Sequence, residues 1–414
     1  MEKEWFYFEN YVYVNYLSPN KVLLYNTLNH DMATYSSDIV YDFIKELKSY
    51  KNNGVLGIDL YSLKTGNSEL YNFIIDIRNR FMGDFIPILK NGKKPFLVQS
   101  NPIILKEGYS YFDFGDEVLF NLTEISFFVS NKCSLECPFC KQYSKQFLCC
   151  STFGESKDLP LSKILHTLEE LQESSLCRIN ILGGDLFAYK DFDSLVRELN
   201  KIPVEKVYKL NLKHIQQHMV DFSFLLEEET NKIELICTDL SEIDVLEMLS
   251  DEIAMEKVLI NMVVQSDLDL HKIYKLSLDN LLITPFYTGN NLDFYKKEIF
   301  VSTDDLKSFS LDYMDVKRNY LLNASCFGSL ICLPNGDVYA DLNSEKLGNL
   351  EEDSISSMIL KELKIGDSWL LLRRNVEPCK ECLFSCLCPS ISGYEKVIGR
   401  YNLCTVFDNL DVER

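Results

Sequence analysis

Cys133-Ser134-Leu135-Glu136-Cys137-Pro138-Phe139-Cys140 follows directly on a run of apolar and aromatic residues, 125–130. A strand that empties into a loop with three cysteines in eight residues decides how the rest of the chain is read. Three thiolates this close can face one centre only from a tight loop. Iron–sulfur clusters are normally held by four cysteine thiolates, so a loop providing three leaves one iron without a protein ligand. Open coordination positions are where metal sites do chemistry. The competing reading is a structural zinc that borrows a fourth ligand from elsewhere, and the spacing favours iron–sulfur.

Outward from this loop, residues 116–290 alternate between strand and helix patterns. Strands are predicted over 125–130, 178–182, 207–212, 233–237, 258–264 and 280–284. Helical spacing links Leu161, Ile164, Leu165, Leu168 and Leu171, then Phe192, Leu195, Val196 and Leu199, then Ile243, Leu246 and Leu249 after a cap at Ser241. Six strands interleaved with helices predict a parallel sheet. They are too few for a closed eight-stranded barrel and suit a curved, partly open one. In such barrels, functional groups gather on loops at the C-terminal strand ends. Leu182-Gly183-Gly184-Asp185 ends the second strand, where the glycines permit close backbone approach and Asp185 can bind an ammonium group. Gly-Gly by itself is more often only a turn.

The ends of the chain differ from its middle. In the first 115 residues, Tyr11–Tyr16 and Lys21–Tyr25 read as a hairpin turning at Ser18-Pro19-Asn20. Ser36 or Ser37 then caps a helix with Val40, Phe43, Ile44 and Leu47 on one face, and a second helix near 68–82 carries Leu70, Ile74, Ile77 and Phe81. Gly92-Lys93-Lys94-Pro95 reads as a loop. Near the other end, Ile331–Tyr339 forms a hairpin around Asn335-Gly336, followed by a short helix near 353–363.

Composition narrows the function. Forty-two Lys+Arg against 62 Asp+Glu give a net charge of −20, which argues against nucleic acid or an anionic membrane as partner. A basic peptide or small cofactor stays compatible. No apolar run reaches the ~18 residues of a membrane span, and Met1-Glu2-Lys3-Glu4-Trp5 lacks a signal-peptide layout, so a cytoplasmic location is expected. Of 14 cysteines none precedes residue 133. In a reducing compartment, clustered cysteines point to metal ligation rather than to disulfides. Cys379-x2-Cys382-x5-Cys388-x15-Cys404 supplies enough thiolates to close a site completely, with structural zinc as the alternative. Cys177 and Cys237 read as core residues. Cys149 and Cys150 could be redox-active, cap the site, or form a buried pair with no role. The five histidines show no ligand spacing.

Cys133-x3-Cys137-x2-Cys140, with Phe139 before the last cysteine, resembles the radical SAM superfamily. The resemblance implies a partial (β/α)6 TIM-like barrel holding a 4Fe–4S cluster on those cysteines, with S-adenosylmethionine on the open iron. Gly183, Gly184 and Asp185 are similar to the family's glycine-glycine-acid motif for the methionine end. Here the usual Glu-Pro is Asp185-Leu186, a shorter reach. Phe139 would lie beside the adenine, and Asn211 and Asn261 could touch the ribose or simply face the core. The second cysteine group resembles the C-terminal SPASM extension, implying an auxiliary cluster on Cys379, Cys382, Cys388 and Cys404. Cys326 and Cys332, with Cys386, would be the remnant of a second one. Asp341 and Ser392 stand where that extension usually has cysteines.

The N-terminal α+β unit resembles PqqD-like domains that bind a leader peptide as an added strand, the alternative being a plain folding extension. The segments 284–291, Phe294-Tyr295, Tyr25-Asn26-Thr27 and 398–404 resemble radical SAM/SPASM maturases, and pseudo-radical-SAM relatives, of Bacteroidales-type peptide clusters. The expected organisation is therefore 1–115 peptide recognition, 116–300 radical SAM barrel and 301–414 auxiliary cluster domain. The implied function is hydrogen abstraction from a ribosomally made precursor peptide, ending in a thioether or other side-chain cross-link. The implied electron donor is of the flavodoxin or ferredoxin kind. A noncatalytic partner that presents the peptide to a catalytic homologue and a zinc-stabilised scaffold are the rival readings.

Overall fold

A computed structural model of the chain describes residues 3–17, 19–49, 51–88, 94–95, 115–154, 157–215, 218–240, 255–276 and 280–406. The helix expected over 241–249, Ser18 of the first turn and Gly92-Lys93 lie outside the described residues.

The six expected strands form: β7 (Glu124–Phe128), β8 (Arg178–Leu182), β9 (Glu205–Asn211), β10 (Asn231–Cys237), β11 (Val258–Val264) and β12 (Leu281–Pro285). Each pairs in parallel with the next in sequence. The sheet does not stop at β7. The hairpin of β13 (Ser329–Cys332) and β14 (Asp337–Tyr339) joins it, β13 running parallel to β7, and β15 (Gly348–Asn349) adds to β14. The result is a mixed α/β fold around one nine-stranded sheet with β12 and β15 at its edges.

Side-chain alternation gives that sheet two unlike faces. Ile125, Phe127, Ile179, Ile181, Tyr208, Leu210, Ile233, Leu235, Ile260 and Met262 share one apolar core with the helices Leu161–Glu170 and Phe192–Leu199. All four positions expected inside the second helix, Phe192, Leu195, Val196 and Leu199, are buried. The other face is buried as well but carries polar side chains among its apolar ones. Asn180 Nδ2 donates to Ser126 Oγ (3.0 Å), and Asn261 Nδ2 donates to Glu234 Oε1 (2.7 Å), which is also paired with Lys209. Buried polar groups cost several kcal/mol unless they are partnered, so this ladder holds the inner face in one arrangement.

The N-terminal unit is two antiparallel sheets. One is β5 (Val55–Ile58), β1 (Glu4–Phe8) and β6 (Gly83–Pro87), and the other is the meander β2 (Val12–Leu17), β3 (Lys21–Asn26) and β4 (Met32–Ser36). Phe6, Val22, Leu24, Ile44, Ile74 and Ile77 join both sheets and two helices in a single core. Ser37 caps the helix Asp38–Leu47, its side chain accepting from Val40 N–H. The next stripe needs correction. The helix Ser68–Asn79 ends before Phe81, which adopts φ +56° and is 70% exposed, and Phe73 takes the inward place. Asn26 Nδ2 fixes that turn through the carbonyls of Arg80 and Phe81.

The meander docks on the C-terminal region. Leu23 and Tyr25 pack with Val316 and Leu387, Tyr25 Oη accepts from Leu311 N–H (2.9 Å), and Asn15 Nδ2 donates to the Leu383 carbonyl (2.8 Å).

Candidate functional site

The cysteine loop leaves the C-terminal end of β7, tied to its neighbour by Val129 N–H donating to the Leu182 carbonyl (2.8 Å). A turn closes from Cys140 N–H to the Cys137 carbonyl (3.1 Å), and Cys140 opens the helix Cys140–Gln146. All three thiols are half-buried. Burial, then Cys150 and the neighbouring loop thiols, pushes Cys137 up to about 11, and burial also raises Cys133. The three cysteines thus stand within electrostatic range of one another.

The glycines at the end of β8 are required by the chain's own packing. Gly183 has φ +113° and Gly184 φ +55°, and a Cβ on Gly184 would lie 2.1 Å from the Lys132 carbonyl oxygen. What approaches them is the backbone of the cysteine loop itself. Asp185 N–H donates to that same carbonyl (2.6 Å), and Gly184 N–H to the Ser151 carbonyl (3.2 Å). The motif therefore clamps the loop and delivers the Asp185 carboxylate beside it, where Asp185 Oδ1 accepts from Phe187 N–H (3.2 Å).

Two histidines complete this corner. His214 follows β9 in a short helix, Leu212–Ile215, and is 1% exposed. Its Nε2 lies 3.4 Å from Cys133 Sγ, and its Nδ1 lies 3.9 Å from Asp185 Oδ1. His218 Nε2 is 3.9 Å from Asp185 Oδ2, its ring stacked on Phe187. Burial lowers the His214 pKa, partly offset by Asp185. The ends of β7, β8 and β9 thus place a thiol, a carboxylate and an imidazole together. The five histidines show no ligand spacing in the sequence, yet the structure sets His214 and His218 beside Cys133 and Asp185, and the spacing His214-x3-His218 is the signal that points to them.

An aromatic wall faces the loop. Phe139 packs on Phe286 (5.1 Å between ring centres) and Tyr143 on the same ring (4.6 Å). Gln146 grips Tyr287 through both backbone groups, N–H to Oε1 at 2.8 Å and Nε2 to the carbonyl at 2.9 Å. Cys149 and Cys150 are buried beside this wall with their sulfurs 3.9 Å apart. Asn211 Oδ1 accepts from Lys213 N–H, while Asn261 Oδ1 is buried with no partner among the described residues.

Cys379, Cys382, Cys388 and Cys404 line one cavity with Arg373 and Leu403. Arg373 is locked in place, its Nη1 and Nη2 on Glu395 (2.9 and 3.0 Å) and Nη1 also on the Tyr401 carbonyl (2.6 Å). Burial raises the Cys379, Cys382 and Cys388 thiols, Cys382 to about 12, and Arg373 opposes the rise. A zinc ion needs its sulfurs about 2.3 Å from one point. Among the described residues, no group of three or more Cys, His, Asp or Glu side chains is arranged to hold a metal ion.

Other cysteines go separate ways. Cys332 is buried in the main apolar core, Cys326 Sγ lies 3.3 Å from the Ser368 carbonyl, and Cys386 sits against Tyr13 where the N-terminal meander docks. Cys326 and Cys332 thus pack in one apolar cluster, while Cys386 lies against the docked meander. Asp341 instead pairs with Lys396 (3.1 Å), and Ser392 caps the helix Gly393–Ile398. Cys237 is buried as expected, but Cys177 is exposed at the start of β8, which corrects its reading as core.

Fold and site together define an α/β protein whose parallel sheet gathers thiols, a carboxylate and a buried imidazole at its strand ends. No protein-family model matches the chain, and no curated protein matches it. Among solved structures it is similar to Streptococcus suis SuiB bound to S-adenosylmethionine, at 13% identity over 96% of this chain and 97% of that one, TM-score 0.44. SuiB bound to precursor peptide SuiA matches at 14% identity over 97% and 98%, TM-score 0.45. Polyhistidine-tagged anSMEcpe with bound AdoMet matches at 16% identity over 64% and 84%, TM-score 0.42. No described helix is long and apolar enough to cross a membrane.

Proposed function

We propose that this chain is a radical SAM enzyme of the SPASM type that modifies a ribosomally made precursor peptide, forming a thioether or another side-chain cross-link. The observation that carries the reading is the convergence of Cys133, Asp185 and His214 from three consecutive strand ends, the end at which such sheets host chemistry. Cys133, Cys137 and Cys140 would hold a 4Fe–4S cluster, and Cys379, Cys382, Cys388 and Cys404 a second one. When bound and reduced, the first cluster with S-adenosylmethionine supplies a deoxyadenosyl radical able to take hydrogen from an unactivated carbon.

The chain's own residues have distinct tasks. Gly183 and Gly184 hold the thiol loop against β8, so the three sulfurs keep one geometry. Asp185 offers a buried carboxylate to an ammonium group. Phe139, Tyr143 and Phe286 exclude water on one side of the loop, as a reactive carbon radical requires. In the N-terminal unit, β4 is the edge of its sheet and supports a leader peptide adding as a further strand. A chain of net charge −20 suits a basic leader.

The test is anaerobic reconstitution with S-adenosylmethionine, a strong reductant and the peptide encoded nearby. 5′-Deoxyadenosine should form and should vanish in Cys133→Ala. The peptide should lose two hydrogens per cross-link. Full iron loading without deoxyadenosine would overturn the enzymatic reading, and cofactor consumption with unchanged peptide mass would overturn the cross-linking.

A further inference from the structure

Every N–H of Arg373 meets an oxygen. Nε donates to the Pro389 carbonyl, Nη1 to Glu395 Oε1 (2.9 Å) and the Tyr401 carbonyl (2.6 Å), and Nη2 to Glu395 Oε2 (3.0 Å) and the Ser390 carbonyl (3.4 Å). All these acceptors lie between Cys388 and Cys404, so one side chain pins the arm that brings the last thiol round to the other three. Pinning an arm needs donors and has no need of a charge. Burying an ion pair is costly, and one with 12% and 3% of its side chains exposed is often no more stabilising than apolar residues of the same volume. What sets this pair apart is its orientation. Arg373 lines the cavity with the four cysteines, Glu395 stands outside that lining, and no other charged side chain lines it among the described residues. The positive end of the pair therefore faces the sulfurs. A guanidinium does not lose its proton in a protein, so the charge is permanent, and its oxygen partners hold it at a fixed distance.

We propose that Arg373 sets the reduction potential of the cluster that Cys379, Cys382, Cys388 and Cys404 would hold, its fixed charge favouring the reduced form and Glu395 tempering that effect. This rests on the functional reading above, with the cluster as occupant of the cavity. A cluster becomes more negative on reduction, and charge beside it is one of the levers on its potential. Arg373 is thus a positioning residue for the arm that carries Cys404 and a tuning residue for the cluster.

The test is the midpoint potential, in full-length reconstituted protein, of the cluster whose electron paramagnetic resonance signal does not respond to S-adenosylmethionine. Glu395→Gln unmasks the cation, Arg373→Gln removes it, and the double variant removes both and leaves no unpaired buried charge. The potential should rise in the first, fall most in the second and fall less in the double variant. Either single change should shift the ratio of oxidised to reduced cluster about tenfold or more, equivalent to about 59 mV for one electron. Should Arg373→Gln fail to fold, the opposite displacements of Glu395→Gln and the double variant still decide the matter. A purely structural pin predicts otherwise: a loosened arm shifts every variant in one direction or sheds the cluster from all of them. Either of those results, or wild-type potentials throughout, would overturn the proposal. Zinc in the cavity of the wild type, or no cluster there at all, would instead overturn the functional reading.

Discussion

Around Cys133, three half-buried thiols meet an acid and two imidazoles at the ends of strands; around Cys388, four thiols enclose a cavity with a guanidinium locked in its wall. The first arrangement supplies one thiolate fewer than a cluster takes and surrounds the loop with acceptors, which suits a cationic small molecule. On the proposed reading, the second would satisfy every position from the chain, and the fixed positive charge of Arg373 would balance a thiolate-bound core. The contrast teaches that ligand count and local charge, more than cysteine number, divide the chemistry between two sites in one chain.

The sharpest way to break this division is a pair of variants. Cys133→Ala should abolish deoxyadenosine formation while iron remains at the C-terminal cavity. Cys382→Ala should keep peptide-independent cofactor cleavage and lose cross-linking. Iron analysis with product assay checks both, and loss of cleavage in both variants would erase the distinction. Gly184→Ala comes next. A left-handed alanine costs about 1–2 kcal/mol, and its Cβ would press on the Lys132 carbonyl at 2.1 Å. Iron should fall at the first site and stay at the second.

Arg373→Met tests the second site alone. Removing one member of a buried pair should cost about 3–5 kcal/mol, measured by denaturant unfolding of the apoprotein, with Glu395 left unpaired. The smallest effect is that of pH. Burial holds the Cys137 thiol at about 11 and Cys382 at about 12, above the ordinary 9.0 of an unfolded chain. The folded apoprotein therefore keeps these protons more tightly than the unfolded chain. Its stability should be intact below about pH 9 and decline as pH rises toward 12. Thermal melts across that range check it, and cluster-loaded protein, whose thiols have no proton to lose, should decline less.

Much of this was legible in the sequence. The six parallel strands were, because each is a short apolar run between helical patterns and the pairing follows chain order. The first thiol loop was, because its residues are contiguous. The N-terminal strands β1, β4, β5 and β6 were not. They are four or five residues long, and Met32–Ser36 mixes polar and apolar residues on a half-covered edge. His214 was overlooked because what gives it meaning, Cys133 and Asp185, comes from other strand ends. Cys326, Cys332 and Cys386 look like a group only through the resemblance to the C-terminal extension. In space, Cys332 points into the helix-covered core and Cys386 toward the meander, and Asp341 and Ser392 have taken on pairing and capping instead.

The pairing of β7 with β13 has a consequence for how the protein is made. The strand that carries the cysteine loop waits for a neighbour roughly 200 residues downstream, about 10–40 s of synthesis at ordinary ribosomal rates. Until then one edge of β7 is bare and open to pairing with other chains. A chain cut short before Ser329 would leave that edge of the sheet uncovered and be a target for chaperones or proteases.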